Sequence, residues 1–227
     1  MIQDDFKQYF ATYIPILTSL LTNVNGDTQD AKKLRARAIS TIGSVITSVT
    51  SSEDKEPFKA NVLEITQHLA TTLQSGLKVD DPQDEAIKDT LAQCAGFLRQ
   101  EFVQFLPQML DQLIADSQLD LDFKMESADM PSTTENMELK LKVAGLGEQR
   151  VSMNTDALVR KTGAFAVLQK ISENMGTAFA PFVEPTLPII SQHMSYEHSK
   201  AIRKLSLKTF KNMLIAVGEP RNIELLH

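Results

Sequence analysis

One helical template returns three times in this chain, and a sequence that repeats a helix is confined to folds that stack it. The template is an aliphatic residue followed by Arg, a small residue four positions after the aliphatic one, and apolar residues eight and twelve positions after it. Leu34-Arg35 leads to Ala38, Ile42 and Ile46; Val159-Arg160 leads to Gly163, Val167 and Ile171; Ile202-Arg203 leads to Ser206, Phe210 and Leu214. Spacings of four keep to one side of a helix, and a small residue there predicts the close approach of a neighbour. A helix that cannot bury its apolar side alone stacks against copies of itself, so the repetition predicts a helical array.

A second kind of helix alternates with the first. Phe6, Phe10, Ile14, Leu17 and Leu21 predict a helix over about residues 5–22, bent at the internal Pro15. The polar turn Asn25-Gly26-Asp27-Thr28 separates it from the copy that carries Arg35, over about residues 29–49. Ser51-Ser52-Glu53-Asp54 offers a cap for a helix with Phe58, Val62, Ile65 and Leu69, which runs to about Gln74 before Gly76. Asp80-Asp81-Pro82 opens the next, with Ile87, Leu91, Ala95 and Leu98, and there Lys88 takes the place of the arginine. Phe102, Phe105, Leu106, Met109 and Leu113, with Pro107 among them, begin a third pair. Phe179, Phe182, Val183, Leu187, Ile190 and Met194, with Pro185 and Pro188, begin a fourth, which Gly218 and Pro220 close. Arg160 and Arg203 stand 43 residues apart. Antiparallel pairs with that period describe HEAT repeats.

The third pair is interrupted. From the internal proline to the repeat arginine the chain runs 20 residues between Pro15 and Arg35 and 15 between Pro188 and Arg203, but 53 between Pro107 and Arg160. The excess falls at about residues 117–154 and has two halves. In the first, Asp116, Asp120, Asp122, Glu126, Asp129, Glu135 and Glu138 face only Lys124, so seven acids less one base give −6, the net charge of the whole chain. The remainder is therefore balanced, and the insertion is where a cationic partner feels the field. In the second, Met137, Leu139, Leu141 and Val143 alternate with Glu138, Lys140 and Lys142, then Gly145-Leu146-Gly147, Val151 and Met153 follow, which predicts a small hairpin. A long loop in a compact unit is either functional or a tolerated excursion, and composition alone leaves both open.

The expected fold is all-α: a single solenoid over residues 1–227, of about four HEAT repeats in a right-handed superhelical stack. The repeats fall near 5–50, 54–100, 101–176 and 177–218, with the acidic and hairpin insertion at 117–154. A chain that is 42% hydrophobic suffices for such a core, and no apolar run reaches the length that crosses a bilayer. Cys94 is the only cysteine, which excludes an internal disulfide and agrees with a reducing compartment. Its neighbours Leu91, Ala95 and Leu98 make it a buried thiol rather than a nucleophile. His193 and His198 are five apart and off a shared helical face, and His68 and His227 stand alone, so no metal is expected. Asp116, Asp120, Asp122 and Glu126 lack the ligand alternation and central glycine of a calcium loop, and Gly145-Leu146-Gly147 lacks the third glycine of a dinucleotide site. No cofactor is expected. No nucleophile, base and acid converge in a recognisable pattern, and an enzyme is not expected.

Phe102-Val103-Gln104-Phe105-Leu106-Pro107, Asp80-Asp81-Pro82-Gln83 and an acidic, then hairpin, insertion ending Gly145-Leu146-Gly147-Glu148-Gln149 resemble the middle-to-late HEAT repeats of the karyopherin-beta (importin-beta) superfamily, in its beta-three or importin-five branch. The resemblance runs from about Phe6 to Val217. It implies a segment of a nuclear transport receptor that shuttles between cytoplasm and nucleus, binds cargo proteins by basic nuclear-localisation signals on the concave second helices, and is regulated by GTP-bound Ran. Phe-Gly nucleoporins are further implied partners, with no direct contact to nucleic acid and none to membrane. Contact candidates by position are Lys33, Arg37, Asp84, Glu85, Lys88, Asp89, Lys161, Lys200 and Lys204, together with the insertion acids Asp116, Asp120, Asp122, Glu126, Asp129, Glu135 and Glu138. The residues themselves equally fit a generic HEAT scaffold, such as a phosphatase regulatory subunit or an assembly platform. On that reading the repeat arginines only tie loops and carboxylates together.

Overall fold

In a computed structural model the chain is described over residues 5–24, 26–77, 81–121, 124–127, 137–143 and 147–218, with the backbone alone described in the strands. Eight α-helices follow one another among these residues: α1 Phe10–Asn23, α2 Gln29–Thr50, α3 Glu56–Gln74, α4 Gln83–Leu98, α5 Leu106–Ser117, α6 Thr155–Met175, α7 Val183–His193 and α8 Lys200–Val217. Each odd helix packs on the even helix after it, and the even helices pack on one another in the order α2, α4, α6, α8. The odd helices form a second, looser row against them. This is a two-layer stack of four antiparallel pairs, the HEAT-repeat solenoid that the repetition predicts.

The ends of these helices follow from their sequence. Thr28, Asn154 and Ser199 cap α2, α6 and α8, each accepting from a backbone amide three residues on, so an otherwise orphan donor is satisfied. Gly76 and Gly176 lie just past α3 and at the end of α6 with φ of 80° and 56°, a conformation that glycine adopts without strain.

Three of the odd helices are entered through 3₁₀ segments: Asp5–Tyr9, Arg99–Gln104 and Gly176–Phe182. Pro107 stands at the opening of α5 and Pro181 inside the last 3₁₀ segment, while Pro15 and Pro188 lie within α1 and α7. A 3₁₀ turn brings residues three apart into register. Phe102 and Phe105 thus pair at a ring separation of 5.9 Å, and Phe179 and Phe182 repeat the pair at 5.9 Å one unit later.

The core runs unbroken through the stack. Ile42, Ile46, Ile87, Leu91, Leu106, Phe165, Ile171 and Ile190 are fully buried, each contributing roughly 1.5–3 kcal/mol relative to exposure. Between even helices, side chains also bond to the neighbour's backbone: Thr90 Oγ1 donates to Ile39 O at 3.0 Å and Asn174 Nδ2 donates to Ala92 O at 2.7 Å. Close approach is carried by Gly43 and Gly96. A Cβ on Gly43 would stand 2.9 Å from Thr90 Oγ1 and overlap the Gln93 carboxamide, and one on Gly96 would touch Asn174. The template's small residue is not always the contact: Gly163 has open space where its Cβ would be. Nor is its leading aliphatic residue always buried, since Leu34 is 48% and Val159 70% exposed.

The insertion joins α5 to α6. Its expected hairpin is β2 (Met137–Val143) paired antiparallel with β3 (Gly147–Met153), Leu139 opposite Val151. A further strand, β1 (Lys124–Ser127), comes from the acidic half and pairs with the other edge of β3, giving the order β1-β3-β2. Only four residues long, β1 has too few alternations to stand out of an acidic run. The root of the insertion is fastened: Asn154 N donates to Leu121 O at 3.0 Å, Leu121 is buried, and Lys161 Nζ donates to Leu119 O at 3.1 Å.

Candidate functional site

The basic residues of the even helices lie where the helices open, and they reach both back and forward. Arg35 Nη1 donates to Val24 O at 2.7 Å and Gly26 O at 3.1 Å in its own turn, while its Nε donates to Gln83 of the next pair at 2.9 Å. One turn earlier, Lys32 bridges Asp27 at 2.7 Å and Asp81 of the next pair at 3.0 Å. Lys88 on α4 bonds Asp84 at 2.7 Å and lies 3.6 Å from Asp116, which also accepts from Arg160 at 2.5 Å. Arg203 donates to Tyr196 O at 2.7 Å and Glu197 O at 3.2 Å. At Arg35 and Arg203 this position closes the turn of its own pair, and at Arg35 and Lys88 it engages the next. Burial opposes ionisation of Asp81, but the Gln83 amide and the Lys32 ammonium outweigh it and hold its pKa below the usual carboxylate value. The same bonds, led by that to Asp27, raise the pKa of Lys32.

Where α4 and α6 diverge, this edge opens into a groove of about 500 Å³ between the end of α3 and the insertion's root. Asp81, Asp84, Glu85, Asp89, Asp116 and Asp156 line it against Lys88, Arg160 and Lys170, six acids to three bases. Those bases are taken: Lys88 by Asp84, Arg160 by Asp116, and Lys170 by Asp89 at 2.7 Å. Glu85 and Asp156, both exposed and both in the first turn of their helices, have no counter-charge among the described residues. Val159 and the bare backbone of Gly163 form the groove's wall between these carboxylates and Lys170. The arrangement suits an extended chain that brings cationic heads on aliphatic stems.

The expected contact residues divide. Asp84, Glu85, Lys88 and Asp89 come together in the groove. Asp116 is also there, but 3% exposed and held between two bases, where a solvated acid was expected; the strand-to-helix return of the insertion sets it beside Arg160. Lys161, expected to face solvent, is buried under Tyr196, its ammonium 4.8 Å from the ring centre. Burial lowers its pKa, partly offset by Asp120. Asp120 is exposed beside the insertion's root, and Lys33, Arg37, Lys200 and Lys204 are exposed on α2 and α8, away from the groove. Asp122, Asp129 and Glu135 lie outside the described residues, as do Gly145 and Leu146; Glu126 and Glu138 lie on β1 and β2, where only backbone is described. Sequence reasoning missed Asp156. Its signal was the acid two residues after a capping asparagine at the start of a repeat helix.

No protein-family model matches the chain, and no curated protein matches it. Its stacked helix pairs have the fold of a karyopherin-type HEAT solenoid, a likeness carried by solved structures. The particular structures are of Kap121p. One, of Kap121p itself, is 17% identical, with a TM-score of 0.72 over 99% of this chain and 20% of that one. Another, Kap121p bound to RanGTP, is 15% identical with a TM-score of 0.60 over 99% and 24%. A third, Kap121p bound to Pho4p, is 12% identical with a TM-score of 0.59 over 99% and 24%. The chain thus spans between a fifth and a quarter of the length of these solved chains.

Proposed function

We propose that this chain is a segment of a nuclear transport receptor of the karyopherin-beta class, in its importin-five branch. It binds cargo through basic nuclear-localisation signals, answers to GTP-bound Ran, meets Phe-Gly nucleoporins and moves between cytoplasm and nucleus. It does so by binding alone, with no chemistry. The observation that carries this reading is the α4–α6 groove, whose bases are neutralised internally while Glu85 and Asp156 have no counter-charge among the described residues. Structures of Kap121p with RanGTP and with Pho4p support the choice of partners.

Asp84, Glu85, Asp89 and Asp156 form the cargo subsite, and the insertion's excess of acids adds to the long-range negative field of the chain. Such a site attracts lysine-rich peptides faster than it holds them, and it weakens as salt shortens the field to about 8 Å at physiological ionic strength. A titration with a lysine-rich peptide should show affinity that falls steeply between low and high salt, and that drops at least tenfold in Glu85→Lys, Asp156→Lys. Equal binding by that double variant would remove the groove from the proposal. A parallel titration with Ran in its GTP and GDP forms, with the intact chain and one lacking residues 117–154, addresses the second partner. GTP-selective binding that disappears with the deletion is the expected result, and binding indifferent to the deletion would take Ran away from the insertion.

A further inference from the structure

Three ion pairs line the α4–α6 groove, and they are not alike. Asp116 is 4% exposed beneath Arg160 and Lys88 is 14% exposed beside Asp84, so each of those pairs is sheltered at one end. Lys170 and Asp89 are 46% and 42% exposed, open to water at both ends. Their bond of 2.7 Å joins residues 81 apart in the chain and runs across the groove from α6 to α4. An exposed pair of this kind contributes little, a change of up to about fivefold in an equilibrium. Its ammonium sits on a flexible four-carbon stem that can swing away into water.

The register of the two helices shows what this bond replaces. About one turn further in, Asn174 Nδ2 donates to Ala92 O at 2.7 Å where the helices touch, so Lys170 stands at the narrow end of the groove. One turn toward the open end, the same register sets Glu85 of α4 level with Ala166 of α6, which offers it no base. Glu85 and Asp89 thus stand about 6 Å apart along α4, one facing an alanine and the other held by Lys170. An extended peptide carries the side chains of alternate residues on one face, about 7 Å apart, close to that step.

We infer that Lys170 is an internal occupant of the groove: its ammonium holds Asp89 in the place of a peptide lysine, and an incoming basic segment binds fully by displacing it. The inference rests on the reading of the groove as a cargo subsite, and it makes Lys170 the residue that sets the threshold for occupancy. A segment with one lysine is served by Glu85 and leaves the latch closed. A segment with lysines two residues apart reaches Asp89 as well and sends Lys170 into water.

The test is a titration of the full chain, at low ionic strength, with two dye-labelled Gly-Ser octapeptides, one with a single lysine and one with two lysines two residues apart. Lys170→Met keeps the stem and removes the charge. It should raise affinity for the two-lysine peptide about fivefold and for the one-lysine peptide less than twofold, while Lys170→Arg, which keeps the charge, should change neither. A general effect of the lost charge would persist in an Asp89→Asn background, whereas release of Asp89 cannot, so there the gain from Lys170→Met should fall below twofold. Glu85→Lys, Asp156→Lys separates this inference from the reading beneath it. If that variant weakens binding while Lys170→Met brings no gain, or an equal gain in the Asp89→Asn background, the latch is overturned and the groove stands. If that variant changes nothing, or no form binds either peptide, the groove is not the subsite and the latch falls with it.

Discussion

Asp116 and Arg160, 44 residues apart in the chain, are joined by a hydrogen-bonded ion pair of 2.5 Å at the foot of the insertion. Asp116 also accepts from Gln112 at 3.2 Å and faces Lys88 at 3.6 Å, so one buried carboxylate gathers α4, α5 and α6.

Replacing Asp116 by Ala should therefore loosen three helices at once. Arg160 is 43% exposed and can return to water, which limits the cost to about 1–2 kcal/mol rather than that of a fully buried pair. The check is the urea midpoint. An unchanged midpoint would mean that the pair is only a surface contact.

Gly43 sets the distance between α2 and α4. Gly43→Ala places a methyl group 2.9 Å from the Thr90 hydroxyl, which itself holds Ile39 O across the interface. Overpacking of this kind costs about 1–3 kcal/mol, whereas an alanine in an exposed helix stabilises. Thermal unfolding gives the sign: a higher Tm for the variant would show that the two helices do not rely on this close approach.

His193 is buried between Phe165 at 4.8 Å and Tyr196 at 5.0 Å, with Nδ1–H donating to Ile189 O at 2.8 Å. Burial lowers its pKa, with Lys161 adding to the effect and the Ile189 carbonyl opposing it. A base with a depressed folded pKa binds fewer protons folded than unfolded, so stability rises with pH through that window. The protein should be fully stabilised by this group above about pH 6.5 and lose the contribution as pH falls below it. The carboxylates with lowered pKa, Asp81 and Glu101, lose theirs only at more acidic pH. Tm measured from pH 7.5 to 5.5 should decline, and His193→Gln should flatten that slope; an equal slope in the variant would assign the decline to other groups.

Burial pushes the Cys94 thiol up to about 12. A thiolate reagent at pH 8 should leave the folded chain unlabelled and react only as α4 opens, so the labelling rate measures unfolding. Rapid labelling under native conditions would show that α4 is not held.

The helices were legible because their signals are local. The expected helix over about residues 29–49 is α2, Gln29–Thr50, since its cap Thr28 and its apolar spacing both lie within the segment itself. What the template could not tell is which of its positions point inward. Steps of four residues advance by about 40° beyond a full turn, so over twelve residues the pattern swings through about 120°. In two copies the start faces water and the end is buried, Leu34 and Val159 against Ile46 and Ile171, and in the third the sense is reversed, with Ile202 buried and Leu214 exposed. The groove was half visible: the acids opening α4 stood out in the sequence, but Asp156 and the pairing that frees Glu85 depend on how α6 returns from the insertion. Asp116 and Lys161 were misplaced for the same reason, because residues at a long loop's root take their surroundings from chain far away in sequence.

The fastening of that root has a mechanical meaning. With Leu121 sealed in, its carbonyl bound to Asn154, and Lys161 bracing Leu119 while lying on Tyr196, the arm's two stems cannot slide independently. The root of the arm is thus tied both to α6, through Asn154 and Lys161, and to the turn before α8, through Tyr196, so two successive repeats share one anchorage.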